Sequence, residues 1–265
     1  METGMAGEFK GKIVVISGGS RGIGRAIALA FAREGAQTVL AASSEANLAA
    51  AAKEIAAVGP APVTIAADLR ELAACEHVFG LVNERFRRCD VLVNNAGATK
   101  AGNFLELTDE TWLDGFALKF FGAVRLTRLF WPLLKAAQGH VVSIVGGAAR
   151  TVGPEFLIGG SVNAASANFA KGLSKLGMRD GVNVNVIHPG QTATERTARQ
   201  FEQRAKAQDK SVEEIRAEAL EKSGLRRMAT PEDIAELALF LCSERARQIQ
   251  GVAIGVDGGT TPGVY

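Results

Sequence analysis

One segment near the amino terminus restricts the fold more than any other. Lys12 to Ile16 contains the unbroken apolar run Ile-Val-Val-Ile. It leads directly into Ser17-Gly18-Gly19-Ser20-Arg21-Gly22-Ile23-Gly24, and then into an amphipathic stretch through Arg33. An apolar run of that length without alternation reads as a strand buried on both faces. The glycines read as a tight turn, and the amphipathic stretch as a helix.

The same alternation continues along the chain. Short apolar runs at Thr38 to Ala42, Val63 to Ala66, Asp90 to Asn94, His140 to Val145, Asn183 to His188 and Val252 to Val256 read as strands. Between them, helices are expected over Glu45 to Ala57 (stopped by Gly59-Pro60), Leu72 to Arg87, and from Thr108 caps to about Ala137. A further helix is expected from about Ser161 to Leu176, with Ser161 as a possible N-cap, and a charged helical stretch from Thr194 to Lys222. Pro231 opens another, with Glu232 and Asp233 at its positive end. Buried strands separated by helices predict an α/β fold: one doubly wound domain of about seven parallel strands with helices on both faces. No linker or internal repeat interrupts residues 1–265, so one domain is expected. Ligands in such a sheet bind beyond the carboxyl ends of the strands.

Composition removes other classes. Hydrophobic residues are 47% and charged residues 22%, which excludes a disordered or low-complexity chain. Thirty basic against 28 acidic residues leave a net charge of +2, with no basic run to footprint nucleic acid or an anionic membrane. Cys75, Cys89 and Cys242 form no paired motif and fit reduced thiols in a cytoplasmic protein. His77, His140 and His188 lack metal spacing, so no metal site is expected. No segment is apolar enough to span a membrane. The amino terminus through Met5 and Glu8 lacks the pattern of a signal peptide.

The glycine loop follows a strand and opens a helix, the setting in which backbone amides approach a pyrophosphate. The second strand ends in Ser43 and Ser44 without an acid to accept from a ribose 2′-hydroxyl. Arg21, Ser43 and Ser44 suit a 2′-phosphate instead. NADP(H) is therefore the expected cofactor, with NAD(H) still possible; Ser43 and Ser44 as simple helix caps are the alternative.

These features together resemble the short-chain dehydrogenase/reductase (SDR) family, with its Rossmann-like domain, over nearly the whole length. Ser17 to Gly24 is similar to the family's glycine motif. Asp68-Leu69 matches the acid that contacts adenine. Asn94-Asn95-Ala96-Gly97 matches the motif after the fourth strand. Pro189-Gly190, with Thr192 and Thr194, matches the loop over the nicotinamide. Pro231 to Ala235 and Asp257-Gly258-Gly259 match the carboxyl-terminal signature. The resemblance implies cofactor contacts at Gly18, Ser20, Arg21, Gly22, Ile23, Gly24, Ser43, Ser44, Asp68, Leu69, Asn95, Ala96, Gly97, Pro189, Gly190, Thr192 and Thr194. It also implies a substrate lid over about 191–225.

The catalytic end departs from the family's pattern. The family uses a tyrosine as acid, a lysine four residues later, a serine and an asparagine. The only tyrosine here is Tyr265. Aligning Ala164-Ala165 and Lys171-Gly172-Leu173 puts Gly159 at the tyrosine position and Asn163 at the lysine position. Gly146 then falls at the serine and Lys119 at the asparagine. The amide and the ammonium look exchanged: Lys119 is expected to carry acid–base chemistry, with Asn163 bonding the ribose and Ser161 as a replacement hydroxyl. A solvated Lys119 is the alternative. The two glycines are expected to enlarge the pocket. Ser143 is expected to point into sheet packing. Arg150 and Glu155 read as loop charges, and His188 as structural. Arg196, Arg199 and Arg204 read as part of a mixed-charge helix face, with attraction of an acidic substrate as the other reading.

Three functions follow. One is an NAD(P)(H)-dependent oxidoreductase of a small carbonyl or alcohol with a non-standard proton donor. Another is an inactive NADP(H)-binding protein, a sensor or partner of an active paralogue. The third is a non-redox dehydratase, isomerase or decarboxylase in the same pocket. The resemblance also implies a homo-oligomer, dimer or tetramer, paired through about 110–137 and 161–177, where Ala164, Ala165, Ala167 and Ala170 permit close helix approach.

Overall fold

The computed structural model describes residues 7–262, so Met5 and Tyr265 lie outside the described residues. Seven strands form one parallel sheet: β1 (Ile13–Ser17), β2 (Gln37–Ala42), β3 (Val63–Ala66), β4 (Val91–Asn94), β5 (His140–Ile144), β6 (Asn183–Pro189) and β7 (Ala253–Val256). Their order is β3-β2-β1-β4-β5-β6-β7. The order reverses between β1 and β4, and the ends of those strands open the crevice where ligands of doubly wound sheets bind. The helices are α1 (Gly22–Arg33), α2 (Glu45–Ala56), α3 (Leu72–Phe86), α4 (Asp109–Phe116), α5 (Gly122–Ala137), α6 (Leu157–Asp180), α7 (Glu195–Gln208), α8 (Val212–Ser223) and α9 (Pro231–Leu241). One apolar core, including Val14, Ile16, Ile27, Phe31 and Ile234, lies between the sheet, α1 and α9. A second, including Val15, Leu92, Leu126, Phe130 and Val141, lies on the opposite face against α3 and α5. Strand alternation divides the residues between the two.

Two expectations about helices need correction, and a third stretch, helical as expected, divides in two. The long helix from Thr108 is interrupted: residues Ala117–Phe121 form a π turn between α4 and α5. One residue is thereby inserted into the helical ladder, a deviation common at functional sites, and Lys119 is at its centre. Helix α6 begins at Leu157, one turn earlier than expected, so Ser161 is inside the helix and is not its N-cap. The charged stretch from Thr194 is two helices. Asp209 at φ 51° ends α7, and a capping box of Ser211 and Glu214 starts α8. These two helices enclose a small cluster of their own, Phe201, Ala205, Ile215, Ala219 and Met228.

Candidate active site

The crevice is built by hydrogen bonds between the ends of β1 and β4. The Ser17 hydroxyl donates to the Val93 carbonyl at 3.2 Å and accepts from the amides of Asn95 and Ala96 at 3.0 and 3.1 Å. The Asn95 side-chain amide donates to the carbonyls of Ser17 and Gly18 at 3.1 and 3.0 Å. The glycine loop is thus held against the Asn-Asn-Ala-Gly segment. A β-carbon on Gly24 would stand 2.3 Å from the Gly18 oxygen, so only glycine permits this approach.

This loop leaves the start of α1 open. Arg21 at the N-cap makes no side-chain cap bond, and the first turn carries no acid. The first amides and the positive end of the helix are therefore unspent, as an anion site requires. The Arg21 side chain is exposed and makes no hydrogen bond or ion pair among the described residues. Ser44 caps α2 by accepting from the Asn47 amide at 3.3 Å, so the capping alternative holds for it; Ser43 is exposed beside it. Asp68 is exposed and paired with Arg70, while Leu69 is buried beneath. Across the crevice, the Thr192 hydroxyl bonds the Gly190 carbonyl at 3.1 Å, and Thr194 caps α7. A β-carbon on Gly22 would stand 3.6 Å from Thr194 Cγ2, so the start of α7 closes against the glycine loop. All the expected cofactor residues therefore lie along one edge of the sheet. The uncapped helix start and the tight Gly18–Gly24 cradle suit a dinucleotide pyrophosphate.

Lys119 enters the same crevice from the π turn. Its stem crosses Gly97 so closely that a β-carbon there would stand 2.9 Å from Cδ and 3.1 Å from Cγ. It lines a small cavity with Asn94, Phe120, Ser143 and Phe169. Its ammonium has no hydrogen bond or ion pair among the described residues. Desolvation, with a lesser contribution from the Arg196 guanidinium, pushes its pKa down to about 8. Asn94 donates to the Thr127 hydroxyl at 2.9 Å, while its buried Oδ1 has no partner among the described residues.

The other expected catalytic residues are placed differently. Asn163 is 3% exposed; its Oδ1 accepts from the Gly146 amide at 2.9 Å and its Nδ2 donates to the Gly159 carbonyl at 2.7 Å. Its amide bonds backbone on both sides and does not reach out for a ribose. Ser161 is exposed on α6, roughly 200° around the helix axis from Asn163. The wall is not opened by the two glycines. A β-carbon on Gly159 would stand 2.1 Å from Cζ of Phe156, and one on Gly146 would stand 3.2 Å from Asn163 Nδ2. The Phe156 ring and the Asn163 amide fill the room that side chains at those glycines would need.

Arg150 is tied away from the crevice by a 3.0 Å bond to the Ala253 carbonyl, and Glu155 is exposed. The His188 ring is 2.6 Å from the Val145 carbonyl, and burial lowers its pKa, consistent with a structural role. Sequence reasoning missed Phe156, and Ser143 is buried on the sheet face, where it also lines the cavity with Lys119. The signal for Ser143 was available: on β5 it shares the parity of Val141 and Val145, which face α5 and α6. Nothing local in the sequence placed Phe156 over Gly159.

The chain matches the family model described as enoyl-(acyl carrier protein) reductase over residues 18–261. It belongs to the short-chain dehydrogenase/reductase family. Among curated relatives of this SDR chain, an uncharacterized oxidoreductase of Mycobacterium tuberculosis, MT0954, is 34% identical over 94% of this chain and 92% of its own. The 3-oxoacyl-[acyl-carrier-protein] reductase FabG of Escherichia coli is 32% identical over 95% of this chain and 98% of its own. Among solved structures, L-sorbose reductase of Gluconobacter frateurii, complexed with NADPH and L-sorbose, superposes with a TM-score of 0.93 at 32% identity, covering 98% of this chain and 99% of that one. No helix among the described residues of the SDR chain is long and apolar enough to cross a membrane, and no group of three or more His, Cys, Asp or Glu is placed to hold a metal.

Proposed function

We propose that this protein is an NADP(H)-dependent oxidoreductase of a small carbonyl or alcohol, with Lys119 as its proton donor. The observation that carries this reading is the unpaired Lys119 ammonium, held over Gly97 at the edge of the dinucleotide crevice. NADPH bound along the crevice would supply the hydride for the carbonyl carbon. Lys119 gives its proton to the carbonyl oxygen, leaving a neutral amine and an alcohol. Its pKa near 8 matches both halves of that exchange: it is charged enough to donate at neutral pH and acidic enough to release. The glycine cradle and the start of α1 would hold the pyrophosphate, and Arg21 with Ser43 would receive the 2′-phosphate. The similarity to relatives solved with NADPH supports the same cofactor.

A second reading rests on Phe156 and Asn163, which fill the wall at Gly159 and Gly146. On that reading the chain binds NADP(H) without redox turnover, as a sensor, a partner of an active paralogue or a non-redox enzyme. One experiment separates the two. NADPH and NADH are titrated by calorimetry, and NADPH oxidation is then followed across a panel of ketones, aldehydes and oxo acids. Tighter binding of NADPH than NADH, lost in Arg21→Ala, supports the cofactor assignment. Turnover that falls at least about a hundredfold in Lys119→Met at unchanged NADPH affinity supports the donor. Tight binding with no oxidation of any carbonyl favours the second reading. A homo-oligomer paired through α5 and α6, in a cytoplasmic setting, belongs to the same proposal; a monomeric mass in solution would contradict the pairing.

A further inference from the structure

Beneath Lys119 the sheet presents two polar side chains. Asn94 ends β4 and Ser143 lies opposite it on β5, direct partners in the parallel register. Both are buried on the face of the sheet shared with Leu92, Val141 and Val145. With Lys119 and the rings of Phe120 and Phe169 they line one cavity of about 10 Å³. Its polar groups are unequally satisfied. The Asn94 Nδ2 donates to Thr127, which does not line the cavity, so Oδ1 is the amide atom left to it. That oxygen is buried and has no partner among the described residues. The Ser143 hydroxyl and the Lys119 ammonium have no hydrogen bond among the described residues either. The remaining hydroxyl, Ser166, is spent on the Val162 carbonyl at 2.8 Å. A buried acceptor that lacks a donor is costly, and so is an ammonium that lacks an acceptor. The volume between them is about that of one water.

We infer that Asn94 is a positioning residue for Lys119: its Oδ1 accepts from one water, which accepts in turn from the Lys119 ammonium and has the Ser143 hydroxyl as a further partner. An interior water is typically held by such a set of polar groups. The amide presents its acceptor and not its N–H to the cation, the orientation that favours the charged form. The aromatic walls keep the local dielectric low, which strengthens each bond of the set. An ammonium has several donors. One directed at the water fixes the end of a side chain whose stem already lies against Gly97, and the others stay free for the crevice. The charged groups that act on Lys119 are Arg196 of α7 and His188 of β6; β4, β5 and α6 face it with the neutral Asn94, Ser143 and Ser166. The consequence for catalysis rests on the reading of Lys119 as the proton donor; the contact itself does not.

The test reads the Lys119 titration without turnover. Acetylation of Lys119 by a trace of acetic anhydride is followed against pH by mass spectrometry. Asn94→Leu removes the acceptor and is expected to move the midpoint down by about one pH unit, the scale of one hydrogen bond to a charged group. Asn94→Asp keeps an acceptor, adds a negative charge and is expected to move the midpoint up by about as much. Ser143→Ala is expected to move it down by less. An asparagine with only a structural role would leave the titration in place, so unchanged midpoints in folded variants would overturn the inference. Shifts of the same sign in both Asn94 variants would also overturn it. Should the Asn94 variants not fold, a high-resolution crystal structure of the parent decides. A water within about 3.2 Å of both Asn94 Oδ1 and Lys119 Nζ is expected, and none there overturns the inference. The pH limb of kcat for a carbonyl substrate is then measured in the same variants. A labelling midpoint that moves without the limb leaves the positioning standing and removes Lys119 as the donor, so the two failures are distinguishable.

Discussion

The ring of Phe156 lies over Gly159, where a β-carbon would stand 2.1 Å from the ring's Cζ. The glycine and the phenylalanine act as one packed unit, so a larger residue at 159 requires the ring to leave. Gly159→Tyr alone is expected to lower stability by about 1–3 kcal/mol through overpacking. Adding Phe156→Ala is expected to recover most of that loss, because the new side chain takes the vacated room. Thermal midpoints of the two variants and the parent check this. A single variant as stable as the parent would show that the ring yields freely.

Asn163 joins the β5–α6 loop to α6 through Gly146 and Gly159. Asn163→Leu leaves the part-buried Gly146 amide without this partner. A loss of about 2 kcal/mol is expected, read from the urea midpoint at constant slope. NADPH affinity is expected to change little, because the amide faces backbone and not the crevice. A large loss of cofactor affinity at unchanged stability would instead restore the ribose contact expected from the sequence.

Lys119 sets a pH dependence with a definite sign. Its pKa in the folded protein is about 8, below the ordinary 10.5, because burial and Arg196 both disfavour the charged form. Carbonyl reduction needs the ammonium, so kcat is expected to fall as pH rises through about 8. Alcohol oxidation needs the neutral amine and is expected to rise through the same pH. Arg196→Gln removes the neighbouring cation and is expected to shift both profiles upward. Burial lowers the pKa of His188, so its titration lies on the acid side of the Lys119 limb. Steady-state profiles in both directions, and the variant's shift, test this.

His140, far from the crevice at the start of β5, predicts acid sensitivity. It is 4% exposed, its Nδ1 has no partner among the described residues, and burial pushes its pKa down to about 4. The unfolded chain takes up a proton near pH 6.5 and the folded one only near 4, so stability falls as pH drops across that window and levels off below it. The contribution is on the order of 3 kcal/mol. Urea unfolding at pH 7.5, 5.5 and 4.0 is expected to show a shallower decline in His140→Gln than in the parent.

The sheet and the cofactor crevice were legible in the sequence because their signals are local. An unbroken Ile-Val-Val-Ile run requires burial on both faces, and the spacing of Gly18, Gly22 and Gly24 states where backbone must approach backbone. The order of these segments placed them along one edge of the sheet without reference to distant contacts. Lys119 was also legible, but only as a substitution in a motif; its unpaired state depends on residues from α7 that are remote in sequence. The π turn that carries it was read as regular helix, since the added residue leaves the apolar pattern almost unchanged.

The catalytic wall was decided by tertiary packing. From the sequence, Gly146 and Gly159 read as missing side chains and an opened pocket. In the fold, Phe156 and Asn163 occupy that room, and Ser161 is exposed because it lies about 200° around α6 from the buried Asn163. Sequence by itself determined the α/β alternation and the dinucleotide cradle, because backbone sterics and burial act over a few residues. Only the tertiary structure decided which side chains fill the space at two glycines and which charge is left without a partner. Volume and electrostatic pairing are properties of neighbours in space, brought together here from the π turn, β5, α6 and α7.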